Sequence, residues 1–339
     1  MTFNVGLTAD LKNANGEFSW GDIKIQTLDP LNWNFISHQE KNFTPEMVAG
    51  FDGIAFAGPG VISGSFEAPE NSPLIIARFG VGYDNIDLDV CTKAGVALTI
   101  TPDGSKKPVA TAALTLTLAT LHRLNAKMNL AKTNNWSARL DQLGQGLNGK
   151  TVGTIGFGNI ASEFFRLISP FDCTKLSFDP WKNQSDAEPF GVKLVNLEEL
   201  LAKCDVVVVL ATLTPETKHL ISRDQFNLMK KTSVLINISR GPIVDEIALI
   251  EALNEGQIYG AGLDVFEIEP TDYENPLLKM DSVVATPHNL AWTDELGSGM
   301  GLSAFTSIKR ISQGQIPDFV VNKEVLDTPQ FKAKLSKWL

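Results

Sequence analysis

The chain has 339 residues, more than one ordinary hydrophobic core accommodates and about the length of two domains. Hydrophobic residues make up 43% and charged residues 20%, the balance of a soluble globular protein rather than a disordered or membrane-embedded one. A net charge of −10 lacks the concentrated basic surface that the nucleic-acid backbone requires, so no nucleic-acid partner is expected.

The opening segment, MTFNVGLTAD, has neither a basic start nor an apolar run, so no secretory signal is expected. Strand candidates follow at Asn4–Thr8, Lys24–Leu28, Gly53–Phe56, Leu74–Arg78 and Val96–Ile100, with weak helical signals between them. They predict an α/β layer whose strand order is not readable. From Pro108 to Lys132 the pattern predicts one long helix with proline in its opening turn. Few charges interrupt its first half, which suits a buried position or a subunit contact.

Beyond it, short apolar runs alternate with helical patterns, the signature of a parallel sheet. The predicted strands are Thr151–Ile155, Lys175–Phe178, Asp205–Leu210, Ser233–Ile238, Gly260–Val265 and Ser282–Thr286. Helices are expected near Asn159–Ile168, Leu197–Lys203, Arg223–Met229 and Asp245–Glu255. The run Val206–Leu210 never alternates, as befits a strand covered on both faces. This stretch reads as a doubly wound nucleotide-binding domain. The tail from Thr293 begins as a helix, ends irregularly, and is too short for a domain, so it is expected to pack on the first one. No apolar run approaches a membrane span, and the three cysteines, Cys91, Cys173 and Cys204, have no metal-like spacing, so no metal site is expected. Apolar neighbours suggest buried free thiols, and the cytoplasm is the expected compartment.

The strand Thr151–Ile155 runs into Gly156, Gly158 and Ala161, a Gly-x-Gly-x-x-Ala turn opening a helix. Gly156 permits the tight turn, Gly158 lets a pyrophosphate approach the backbone, and Ala161 keeps helix and strand close. The helix N-terminus offers unpaired N–H groups to the phosphates. Such a glycine pattern by itself also fits an ordinary turn. The next strand, however, ends at Asp179, where a carboxylate can accept ribose hydroxyls and repel a 2′-phosphate. A turn started by Asp179 and Pro180 is the plainer alternative, but strand, glycines, helix, strand and acid in that order favour a dinucleotide, NAD over NADP.

Four histidines narrow the search for a proton-transfer group. His38 has no recognisable partner, His122 falls inside the long helix and suits packing or capping, and His219 near a helix start suits a structural or exposed role. His288 ends a strand at the carboxyl edge, where ligands of such sheets bind. Arg240 follows another strand, and Glu269 lies past a third, with Pro270 after it. Each could be an ordinary loop charge, but three strands delivering Arg, Glu and His to one rim beside a dinucleotide turn favour chemistry. Arginine grips a carboxylate through two parallel hydrogen bonds, and histidine exchanges a proton near neutral pH. A glutamate on the other ring nitrogen would orient that histidine and favour its charged form.

With these residues assembled, the chain resembles the D-isomer-specific 2-hydroxyacid dehydrogenase family. The resemblance rests on FGVGYDNIDL (Phe79–Leu88), GKTVGTIGFGNIA (Gly149–Ala161), TPET (Thr214–Thr217), INISRGPIVDE (Ile236–Glu246), GAGLDVFEIEP (Gly260–Pro270) and TPHNLAWT (Thr286–Thr293), in the family's order. It implies two Rossmann-like domains with doubly wound parallel sheets. An interrupted substrate domain (1–104 plus 290–339) would flank an NAD-binding domain (105–289), closing at hinges. It implies His288 as acid/base, Glu269 as its partner and Arg240 as the substrate-binding arginine. It also implies NAD contacts from Gly156, Gly158, Asn159, Ile160, Asp179, Thr212, Thr217, Ile238, Ser239, Arg240, Asp264 and His288. The backbone around Val81 and Gly82, with Arg240 and His288, would hold the substrate, a 2-hydroxy or 2-keto acid. Homodimers with the long-helix region near the contact are implied too.

Departures are Thr212 where many members have proline, Thr111 where many have an acid, and NLAW after the histidine. The last places Trp292 near the site, lining the substrate pocket or packing at the hinge. No Lys or Arg cluster in the first third suggests a phosphate pocket. The rival readings are a formate-type enzyme, disfavoured by Glu269, and an NAD-sensing corepressor, disfavoured by the lack of interaction tails.

Overall fold

The computed structural model describes residues 2–37, 40–66 and 68–339, so His38 lies outside the described residues. The chain divides into two units. One runs up to Ser105 and resumes from Trp292 to Leu339, and the other is Lys106–Ala291.

In the first unit, β1 (Asn4–Leu7), β2 (Asn32–Phe35), β3 (Gly53–Phe56), β4 (Ile75–Arg78) and β5 (Ala97–Thr99) form one parallel sheet in the order β2-β1-β3-β4-β5. Phe43, Met47, Ile54, Phe56, Ile76, Cys91 and Leu98 form a core on it. The predicted strand Lys24–Leu28 is not one: Lys24 takes a left-handed φ of 61° and opens a 3-10 turn at Ile25–Leu28. Its apolar residues serve burial rather than pairing, with Leu28 fully enclosed. The strand is instead NWNF, an edge strand whose polar asparagines carry no apolar signature.

The tail fastens this unit. After the helix Asp294–Ile311, Asn322 accepts the Leu98 N–H at 2.9 Å and donates to the Val96 carbonyl at 3.0 Å. A short helix, Pro329–Leu335, then delivers Lys334, whose buried Nζ donates to the carbonyls of Pro73 (2.8 Å), Ala94 (2.9 Å) and Ser72 (3.4 Å). Lys334→Met keeps the length of the side chain and removes the donors. We expect it to cost about 1–3 kcal/mol, the penalty for stranding buried acceptors. Thermal melts of the two proteins check this, and an unchanged melting temperature would mean that water replaces the ammonium.

The second unit holds β6 (Thr151–Ile155), β7 (Thr174–Phe178), β8 (Val192–Leu194), β9 (Val206–Val209), β10 (Val234–Asn237), β11 (Gly260–Leu263) and β12 (Val283–Ala285). All are parallel, in the order β12-β11-β10-β9-β6-β7-β8. The order reverses between β6 and β9, the crevice where doubly wound sheets bind ligands. Every residue of β9, β10 and β11 is buried. Leu200, Leu201, Val207, Phe226, Leu235 and Leu249 belong to the core on this sheet.

The long helix is two helices. Pro102–Leu121 contains Pro108 in its second turn, and Leu124–Lys132 follows a break at Arg123, whose φ is 54°. Proline there gives up its own N–H bond and crowds the carbonyl four residues back, a cost borne close to the helix start. The break leaves His122 exposed at a helix end instead of packed within a helix. Among the described residues, no helix is long and apolar enough to cross a membrane.

Candidate active site

The turn after β6 is built around glycine. Gly156 has φ 94°, and a Cβ there would lie 2.9 Å from the Ala211 backbone nitrogen on the neighbouring strand's exit. Gly158 is the N-cap of the helix Asn159–Leu167, with no side chain capping its N–H groups. A Cβ on Gly158 would meet nothing within 4 Å, so this backbone faces open space, while Ala161 is fully buried. Uncapped N–H groups beside an open backbone suit a pyrophosphate. Asp179, at the end of β7, accepts the Phe157 N–H at 2.8 Å and the Trp181 N–H at 3.0 Å. The carboxylate thus binds the glycine turn to the next strand and stands beside it.

The loops after β9 and β10 form the adjoining rim. Thr212 is exposed and Ile238 buried. The Thr217 hydroxyl donates to the Thr212 carbonyl and accepts the Thr214 N–H, both at 2.7 Å, so it braces its own turn. Ser239 donates its hydroxyl to the Ala211 carbonyl, locking the two loops together.

The three charged candidates leave successive strands. Arg240 follows β10 and donates from Nη1 to the Ser239 carbonyl at 2.8 Å. Glu269 follows β11, where Oε1 accepts the Phe266 N–H at 3.0 Å. His288 follows β12, and its Nδ1 lies 2.7 Å from Glu269 Oε2. A carboxylate acceptor assigns the proton to Nδ1. Burial tends to raise the Glu269 carboxyl. Hydrogen bonds from His288 and Phe266, with the charges of His288 and Arg240, outweigh it and hold the group below the usual carboxylate range.

His288 has φ 54°, and its N–H donates to the Asp264 carbonyl at 2.8 Å. The buried Asp264 carboxylate accepts from the Thr286 hydroxyl at 2.6 Å and from the N–H groups of Asn289 (3.0 Å) and Leu290 (3.1 Å). Burial pushes this carboxyl up despite those bonds. Asp264 therefore fixes the loop that carries the histidine.

Residues 114–289 match the family model described as D-isomer specific 2-hydroxyacid dehydrogenase, NAD binding domain. The chain belongs to that family. Membership makes it an NAD-dependent oxidoreductase of the 2-hydroxyacid class, with the cofactor domain in the second unit. It is 38% identical over 259 residues to a glyoxylate reductase of Thermococcus onnurineus, covering 75% of this chain and 77% of that one. A D-3-phosphoglycerate dehydrogenase of Methanocaldococcus jannaschii is 38% identical over 314 residues, 88% of this chain, but the match spans only 59% of that longer protein. A solved glyoxylate reductase from Paecilomyes thermophila superposes with a TM-score of 0.79 at 25% identity, covering 95% of this chain and 99% of that one.

In this dehydrogenase, Val81 and Gly82 belong to the first unit, in the loop after β4. Thr101 anchors that loop by accepting the Gly80 N–H at 2.9 Å. Among the described residues, neither the Val81 nor the Gly82 N–H donates to another protein group. Arg78 ends β4 over the Phe56 ring at 5.6 Å and puts a cation beside the loop, which no clustering in the sequence signals. Trp292 packs edge-on against Trp20 at 5.2 Å, and Trp20 against Phe79 at 5.6 Å, so it joins an aromatic group at the root of the same loop. His219, read from sequence as structural or exposed, is exposed and also pairs with Glu267, Nε2 to Oε1 at 2.7 Å. No local motif could have signalled a partner 48 residues away.

Proposed function

We propose that this chain interconverts a small 2-keto acid and its D-2-hydroxy acid, with Arg240, Glu269 and His288 as the residues that act on substrate. The observation that carries this reading is the 2.7 Å His288–Glu269 pair at the exit of two neighbouring strands, with Arg240 on the next strand over.

The residues around Gly156 and Gly158 fit a dinucleotide, with the N–H groups of Asn159 and Ile160 toward the pyrophosphate and Asp179 toward the ribose. Thr212, Ile238, Ser239 and Asp264 form the rest of the rim, and Thr217 shapes it from behind. NADH held by these residues would supply the hydride for C2 of the keto acid. His288 holds the proton that the nascent alkoxide takes, delivered from Nε2 because Nδ1 belongs to Glu269. Charged Glu269 stabilises the imidazolium before transfer and orients the ring throughout. Arg240 grips carboxylate and carbonyl oxygens, and within the first unit the Val81 and Gly82 N–H groups suit an anionic oxygen. In this reading the first unit is the substrate domain.

NADH consumption across glyoxylate, hydroxypyruvate, pyruvate, 2-ketoisocaproate, phenylpyruvate and a phosphorylated 2-keto acid tests this, repeated with NADPH. Turnover of a short unphosphorylated acid with NADH, and little with NADPH, is the expected result. Silence throughout, with NADH still bound, would replace catalysis by cofactor sensing. NADPH used equally would take the ribose reading away from Asp179.

The same reading includes a homodimer in the cytoplasm. Large apolar side chains at Trp136, Leu140 and Leu143 stand exposed in the segment after Leu124–Lys132, and a partner would cover them. Sedimentation should give twice the 36.9 kDa chain mass, and a single-chain mass would refute the dimer. Cys91 and Cys204 are buried and unpaired, in keeping with a reducing compartment, which fractionation would check.

A further inference from the structure

Two histidines grip one loop. His288 holds Glu269, and His219 holds Glu267 from the other side, each at 2.7 Å. Both histidines sit at left-handed backbone, φ 54° and 52°, a conformation that costs free energy and persists only where surroundings enforce it. The His288 pair belongs to the proposed chemistry, whereas the His219 pair has no assigned role.

The connections of His219 reach both neighbouring loops. Its N–H donates to the Pro242 carbonyl at 2.8 Å, two residues past Arg240. Ile221 continues the attachment, donating to Ile243 at 3.2 Å and accepting from Asp245 at 2.9 Å. On the other side, the Glu267 N–H donates to Glu246 Oε2 at 3.0 Å, and Glu267 Oε2 accepts the Glu246 N–H at 3.2 Å. Glu246 Oε1 in turn accepts from Asn275 at 2.7 Å. The two loops already touch, since a Cβ on Gly241 would fall 1.8 Å from the Phe266 carbonyl oxygen. His219 therefore ties the Arg240 loop, through its own N–H to Pro242, to the Glu269 loop, through its ring to Glu267, beside the Glu246–Glu267 bonds.

We infer that His219 is a positioning residue for the reaction, setting the separation of Arg240 from the Glu269–His288 pair through its bond to Glu267. The inference rests on the catalytic reading above. A misplacement of about 1 Å at a reacting group costs about 100-fold in rate, and the rim depends on three loops keeping register. The glycine turn and Asp179, proposed for the pyrophosphate and ribose, lie on other strands, so most of the grip on the cofactor does not pass through this bond.

The test compares His219→Ala, Glu267→Ala, the double variant, His219→Gln and, as reference, His288→Ala. Steady-state kinetics with a 2-keto acid and NADH are read beside NADH affinity by fluorescence titration. His219→Ala should lower kcat/KM about 10- to 100-fold, with NADH affinity within about twofold of the parent. Glu267→Ala, which also releases the Glu246 N–H, should lose at least as much, and the double variant should be no worse than Glu267→Ala, because the His219 bond is already gone there. His219→Gln, which can present an amide N–H to Glu267, should recover most of the loss. Single variants within about twofold of the parent, beside an inactive His288→Ala, would overturn the positioning role and leave the catalytic reading intact. Parallel loss of NADH binding without rescue by glutamine would overturn it too, reducing His219 to general support. A near-normal His288→Ala would instead bring down the catalytic reading and the inference with it.

Discussion

Replacing His288 with alanine is expected to lower kcat for keto-acid reduction by about 10²–10⁴-fold, the range that a positioned acid or base contributes. NADH affinity should fall far less than kcat, because the glycine turn and Asp179, proposed for the pyrophosphate and ribose, lie on β6 and β7. The geometry gives the reason: Nδ1 is committed to Glu269 at 2.7 Å, so only Nε2 remains to exchange a proton with substrate. Added imidazole should restore part of the rate if the lost function is proton transfer. Near-normal turnover in the variant would remove His288 from the mechanism.

Glu269 gives this prediction a pH signature. Its carboxyl is held below the usual range, so it stays ionised through ordinary acidity and keeps its hold on the imidazolium. The stabilisation from that pair is present above the ordinary carboxylate value and is lost as pH falls through the lowered one. Activity should therefore persist into mildly acidic solution before an acid limb appears.

Much of this site was legible because parallel sheets make one rule do most of the work. Side chains that follow strand ends at one edge meet, whatever their spacing along the chain. Arg240, Glu269 and His288 each follow a short apolar run, and Gly156 and Gly158 follow another, so locating the strands brought these candidates to one edge of the sheet. What stayed hidden depends on contacts between distant residues or on irregular backbone. Lys24–Leu28 is apolar enough for a strand yet turns, because Lys24 adopts φ 61° and Leu28 packs inward. Arg123 interrupts a continuous helical pattern with no proline or glycine to mark the break. Lys334 reads as a surface lysine, and only the fold supplies the three carbonyls around it. Thr217 carries its hydroxyl into its own turn, which its place in a family-like segment could not reveal.

The second large effect is expected at Arg240. Arg240→Gln should reduce kcat/KM for every 2-keto acid by about 10²-fold or more, since two charge-assisted hydrogen bonds together contribute roughly 3 kcal/mol. The loss should be similar for glyoxylate and for phenylpyruvate, because the group gripped is the keto acid itself and not its side chain. Arg240→Lys should recover little. Its single ammonium cannot both bond the Ser239 carbonyl, as Nη1 does at 2.8 Å, and offer a planar fork to substrate. The charge also acts on Glu269, where Arg240 is among the groups that hold the carboxyl down. Removing it lets that carboxyl rise toward its ordinary value, so the acid limb of the pH profile should move to higher pH in Arg240→Gln. Steady-state kinetics over pH check both effects together. A loss confined to large substrates, or an acid limb that does not move, would place Arg240 at the rim as a side-chain contact rather than at the reacting carboxylate.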